Sequence, residues 1–179
     1  MPRTSFSAEE ILTLLAGAPP RLAALTADLT PAQLRTAPAA GEWSATEVLA
    51  HLRSCADVWG GCIAAILESD RPTLRAIDPR TWTRSTDYPD LEFRPSLQAY
   101  TTQREALLRQ LEALSPEGWE RSATVTGAGK PLVRSVLAYA QWLARHERPH
   151  IEQVDRIVKT VRMQQQAHHL PQAEEENPG

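Results

Sequence analysis

The stretch Trp43-Ser44-Ala45-Thr46-Glu47-Val48-Leu49-Ala50-His51-Leu52 decides how this chain reads. Ser44 followed three residues on by Glu47 is a capping box, in which the hydroxyl accepts from the amide of residue 47 and the carboxylate from that of residue 44. Trp43 before the cap and Val48 one turn inside complete an apolar staple, so a helix starts here. Beyond it Val48, Leu52, Cys55, Trp59, Cys62 and Ile66 recur at alternating spacings of four and three, the inward stripe of a bundle helix, with Arg53 and Asp57 opposite. The stripe predicts an end near Glu68.

Upstream, Ser7-Ala8-Glu9-Glu10 is a second capping box, opening a helix with Ile11, Leu14, Leu15, Leu22, Leu25 and Leu29 on its apolar side. Pro19-Pro20 falls inside it and predicts a break or kink near Ala18, because proline removes an amide donor and crowds the preceding turn. Thr30-Pro31 begins a short helical turn through Leu34, and residues 36–41 read as loop. Downstream, residues 69–94 carry Pro72, Pro79 and Pro89 among polar residues and predict a long crossover connection able to cover a site. Pro95-Ser96 leads into a third helix with Leu97, Tyr100, Leu107, Leu108, Leu111 and Leu114, stopped at Ser115-Pro116. The turn-rich link from Ser122 to Lys130 allows a small hairpin. A fourth helix is expected from Pro131 at its first turn, with Leu132, Val136, Tyr139, Leu143, His146, His150, Val154, Ile157 and Val161 in its stripe. Residues 164–179 carry no apolar stripe and predict a disordered or frayed tail, leaving residues 1–163 as one domain.

The composition agrees with an all-α four-helix bundle: 26 Ala and 21 Leu stand against 8 Val and 6 Ile among 179 residues. The 42% hydrophobic fraction holds no run long enough to span a bilayer, and no apolar leader follows Met1, so a cytoplasmic protein without membrane contact is expected. A net charge of −3 gives no electrostatic drive toward nucleic acid. Two cysteines, Cys55 and Cys62, read as free thiols of a reducing compartment.

The chemistry concentrates in three histidines. His146 and His150, four residues apart on a helix, stack on one face where they can share a metal ion. The bland alternative is a pair of core histidines bonded to backbone or water, yet two imidazoles in a stripe that otherwise demands Leu or Val call for compensation. His51 lies about 60° from the centre of the second helix's buried stripe, at ~100° per residue. Packing of the second helix against the fourth would bring all three together, a three-ligand set that leaves coordination positions open. Zinc or nickel suits an all-imidazole set. The string His146-Glu147-Arg148-Pro149-His150 also matches the H-E-x-x-H pattern of zinc peptidases, but Pro149 sits inside it and no third ligand follows before the tail. Glu147 is therefore expected to face outward or to support a ligand. Cys55 and Cys62 share the inward face as possible thiolates, though buried free cysteine commonly behaves as a small apolar residue. Trp82, in the long connection, has no role that the sequence assigns.

The capped Trp43-Ser44 helix start, a histidine seven residues after the serine, and a late helix bearing His146 and His150 together resemble the DinB-like superfamily, which is unrelated to the DNA polymerase of the same name. The resemblance spans roughly Glu9 to Val161. It implies a four-helix bundle with a long crossover between the second and third helices, often a homodimer, with a divalent metal on His51, His146 and His150. It also implies a small-molecule substrate and, in members with assigned chemistry, a low-molecular-weight thiol such as bacillithiol or mycothiol as cosubstrate in transfer or isomerisation. Two classes stay open: a metal-dependent transferase or hydrolase, and a non-catalytic metal- or ligand-binding stress-response protein.

Overall fold

A computed structural model describes residues 5–169. Four long helices make the bundle: α1 (Ala8–Thr26), α3 (Ala45–Glu68), α5 (Phe93–Glu112) and α7 (Val136–His169). Short helices α2 (Pro31–Leu34), α4 (Pro79–Ser85) and α6 (Pro116–Glu120) punctuate the connections, with a 3-10 turn at Tyr88–Asp90. Both capping boxes form, at Ser7 with Glu10 and at Ser44 with Glu47, and a third, Thr30 with Gln33, opens α2. Around the bundle the neighbours run α1, α5, α3, α7, so the first two long helices of the chain face each other across a diagonal, as do α5 and α7.

Two apolar clusters fill the interior. One gathers Ile11, Leu15, Trp59, Leu111, Val136 and Leu143; the other gathers Leu22, Val48, Leu52, Tyr100, Val154 and Val158. Between them lies a polar layer. Its centre is Arg104 of α5, which donates to Glu147 of α7 across the bundle axis and to the Tyr100 hydroxyl at 3.2 Å. Arg104 and Glu147 are 1% and 2% exposed, so Glu147 points inward, contrary to the expectation of an outward carboxylate. The reason is nonlocal: only the α5–α7 diagonal supplies the guanidinium that makes a buried carboxylate tolerable.

Other expectations need correction. α1 runs through Pro19-Pro20 as one helix, since Leu15 and Ala18 before the prolines and Leu22 after them are anchored in the two clusters. That packing outweighs the lost backbone bonds. α5 begins at Phe93, two residues earlier than the Pro95-Ser96 signal. Residues 131–135 do not open the last helix. Leu132–Ser135 instead forms β3, antiparallel to β2 (Ser122–Thr126), which pairs in parallel with β1 (Thr73–Arg75) of the crossover. The expected hairpin forms, reaching past Lys130 to Ser135, as two strands of a three-stranded sheet in order β1-β2-β3. Gly127 turns it at φ 86°, with Arg75 close enough that a Cβ there would meet its side chain at 3.2 Å. Leu132 is consequently 38% exposed rather than core. α7 extends to His169, so residues 164–169 are helical; residues 170–179 of the expected tail, and the side chains of His168 and His169, lie outside the described residues. No helix among the described residues is long and apolar enough to cross a membrane.

Arg53 and Asp57 do lie off the buried stripe, but the crossover covers them. Asp57 accepts from Trp82 Nε1 at 3.1 Å, from the Tyr88 hydroxyl at 2.7 Å and from Gln103 Nε2. Arg53 stacks 3.8 Å over the Tyr88 ring and donates to Ser96 Oγ at 3.1 Å. At the far end Arg35 holds the carbonyls of Asp90 and Leu91 at 2.9 and 3.1 Å.

Candidate metal centre

His51 reaches the polar layer because it stands one residue before Leu52 on a helix whose start Ser44 and Glu47 fix. His146 and His150 arrive from α7, packed alongside α3. The three imidazoles meet edge to face, with ring centroids 4.7 to 5.2 Å apart. His146 Nε2 lies 2.9 Å from His51 Nε2 and 3.2 Å from His150 Nε2. His150 Nδ1 is 2.9 Å from Gln153 Oε1, an acceptor that requires the ring proton on Nδ1 and leaves the Nε2 lone pair facing the cluster. Trp43 walls one side, 5.2 Å from His51 and stacked at 6.3 Å on His150. Trp59 closes another, its ring edge-on to His146 at 5.0 Å.

Burial, more than mutual repulsion, lowers the pKa of His51 to about 4 and that of His146 to about 4; His150 is also lowered, again chiefly by burial, with Gln153 opposing. Near neutral pH the cluster is therefore three uncharged imidazoles with lone pairs available. Their Nε2 atoms conflict as a hydrogen-bonded set. A proton on His146 Nε2 can point to one neighbour and not to both, and buried His51 Nδ1 has no partner. A cation accepting the three Nε2 lone pairs removes the conflict among the Nε2 atoms, with the His51 proton left on Nδ1, so the donor set fits a borderline divalent metal.

Cys55 Sγ lies 3.5 Å from His51 Nε2, and the ligand atoms of His51, Cys55 and His146 fall within 4.8 Å of one another. Burial pushes the Cys55 thiol up, so without a cation beside it the thiol keeps its proton. Cys62 lies further along α3, half-buried, and is not part of this group.

Two openings reach the histidines. One, about 360 Å³, is bounded by Trp43, Glu47, His51, Arg80 and Arg84; the other, about 540 Å³, by Glu42, Trp43, Arg80, His150, Gln153 and Arg156. Arg80, from α4 of the crossover, borders both, its guanidinium 5.9 Å from the Trp43 ring centroid. Glu47 is engaged by the Ser44 amide and hydroxyl, each at 2.8 Å, as its capping role requires. Sequence reasoning missed Gln153 and Arg80. Gln153 was within reach, being three residues after His150 on the same helical face; Arg80 in an irregular connection carried no signal.

The model of the DinB superfamily matches residues 14–154, which include all three histidines. The chain belongs to the DinB superfamily. Among solved structures it is similar to YfiT from Bacillus subtilis, described as a probable metal-dependent hydrolase with an unusual four-helix bundle topology. The match has a TM-score of 0.71 at 20% identity and covers 92% of this chain and 93% of that one. The likeness is one of fold. The comparison with curated proteins gave no match.

Proposed function

We propose that His51, His146 and His150 hold one divalent ion, zinc or nickel, and that this superfamily member is a metal-dependent enzyme acting on a small molecule. The observation that carries the reading is the convergence of three uncharged imidazole Nε2 atoms whose contacts cannot all be hydrogen bonds. The description of YfiT as a probable metal-dependent hydrolase supports it. An ion held by three neutral ligands supplies Lewis acidity and lowers the pKa of water or of a thiol placed beside it.

The chain's own residues do the rest. Gln153 fixes the His150 tautomer, and Trp43 and Trp59 keep bulk water from two sides of the cluster. His51, 4% exposed, borders the smaller opening and His150 the larger, and His146 joins the two. Water as nucleophile makes the activity hydrolysis; a low-molecular-weight thiol makes it transfer to an electrophile.

Elemental analysis of protein purified without chelator should show close to one zinc or nickel per chain, lost in His51→Ala and His146→Ala. Retention of wild-type metal by both variants would refute the ligand set. The metal-loaded protein is then incubated with a generic electrophile, with and without bacillithiol, mycothiol, glutathione or cysteine. Thiol-independent turnover assigns hydrolysis, and metal- and thiol-dependent conjugation assigns transfer. A metal-loaded protein silent under both conditions is a binding protein rather than an enzyme.

A further inference from the structure

Each of the two openings is bordered by two arginines and one carboxylate. Arg80 borders both, Arg84 borders the smaller and Arg156, on α7, borders the larger. Arg84 donates only to the neighbouring Thr81 hydroxyl, at 3.1 Å, and neither Arg80 nor Arg156 has an ion pair among the described residues. Three surface arginines elsewhere are held in ion pairs: Arg35 with Glu92, Arg148 with Glu152 and Arg162 with Asp28. Two carboxylates face the same space. Glu47 is held by Ser44 in its capping box, which leaves Glu42 as the one opposing carboxylate without a hydrogen-bond partner among those bordering the openings. The chain carries a net charge of −3, so uncommitted arginines gathered at one mouth run against its overall balance.

The donor set adds to this. Three neutral imidazoles bring no negative charge, so an ion they held would keep its full double charge facing the same openings. Fixed cations lining a recessed cleft attract and orient an anion, and the guanidinium fork matches the paired oxygens of a carboxylate or phosphate.

We infer that the substrate of this site is a small oxyanion, a molecule bearing a carboxylate or phosphate apart from its reacting group, clamped by Arg80 and Arg156 across the opening beside His150. Trp43 forms the apolar wall against which its carbon skeleton lies. This rests on the proposed metal centre for the ion's share of the attraction; the arginine clamp acts with or without it.

The test is calorimetric binding to full-length protein, metal-loaded and chelator-stripped, with succinate, phenyl phosphate and the uncharged succinamide as probes. Succinate and phenyl phosphate distinguish the two oxyanions, and the tighter of the two names the class. Wild type should bind at least one anion and not succinamide. Arg80→Ala and Arg156→Ala should each weaken binding roughly tenfold, the loss of one charge-assisted contact, in both metal states. Arg80→Lys should recover part of the loss, and Arg148→Ala, outside both openings, none. Equal affinity for succinamide, or full anion affinity in both alanine variants, overturns the inference. Stoichiometric metal with no anion binding overturns it while leaving the metal centre standing. Anion binding through the arginines in a protein that takes up no metal refutes the metal centre and leaves the clamp.

Discussion

Replacing Glu147 by glutamine keeps the side chain's shape and removes the charge that Arg104 meets at the bundle axis. The guanidinium cannot move to water, being 1% exposed, and its Nε and Nη1 already have no partner. Tyr100 remains as a neutral acceptor at 3.2 Å. An uncompensated buried charge of this kind costs about 3–5 kcal/mol, against about 5–15 kcal/mol for the whole stability of a domain. At about 2–4 °C per kcal/mol for a chain of this size, Glu147→Gln is expected to melt roughly 6–20 °C below wild type. Arg104→Met should lose a comparable amount, because it strands the carboxylate, whose pKa burial already pushes up against the opposing pull of Arg104. The double variant Arg104→Met/Glu147→Leu removes both charges and fills the same space. Thermal melts followed by circular dichroism should place it at or above wild type, since apolar replacement of a buried pair is often neutral or stabilising by about 1–4 kcal/mol. A Glu147→Gln melt within about 2 °C of wild type, or a double variant as unstable as either single one, would refute the axial ion pair.

Three further outcomes follow from the same geometry. Asp57→Ala takes the acceptor from Trp82, Tyr88 and Gln103 together and should lower stability by about 1–3 kcal/mol while speeding tryptic cleavage at Arg80 and Arg84; an unchanged digestion pattern would show that Asp57 does not hold the crossover. Metal-free protein should lose stability as pH falls from about 6.5 toward about 4: the unfolded chain takes up protons at the ordinary histidine pKa of 6.5, whereas folded His51 and His146 resist until about 4. The slope is at most about 1.4 kcal/mol per pH unit for each histidine, and denaturant melts that superimpose at pH 7 and pH 5 would contradict it. Leu143→Ala, in the cluster below the polar layer, should cost about 2–5 kcal/mol in chemical denaturation, and a cost under about 1 kcal/mol would mean the position is not close-packed.

The elements legible in the sequence are those whose instructions are local. Ser44 with Glu47 sets the start of α3, the four-three stripe sets its length and inward face, and these two together place His51; the same periodicity places His146 and His150. What escaped depends on partners distant in sequence. β1 is three residues long and exists because Thr73 and Arg75 find Thr124 and Thr126, so no periodicity within it could announce a strand. Pro131 looked like a helix start, yet pairing of Leu132 through Ser135 with β2 claimed those residues for the sheet. Glu147 looked like a surface charge because its guanidinium lies 43 residues away on the diagonal helix. Pro19-Pro20 failed to break α1 because two apolar clusters grip the helix on either side. Arg80 sits in a segment of mixed polar composition, and only folding reveals that it overhangs the histidines.

The crossover is fastened at its two ends and, between them, by Trp82 and Tyr88 on Asp57. Its beginning is sewn to the sheet through β1 and its end is held by Arg35, while Trp82 contributes the single bond from α4 to Asp57. None of the α4 residues belongs to either apolar cluster. Divergence within α4 outside Trp82 is therefore nearly free of consequence for folding, yet every change at Arg80, Thr83 or Arg84 alters what the smaller opening presents. Such an architecture lets a lineage retune its ligand preference by drift in one short helix, while the bundle and its histidines are inherited unchanged.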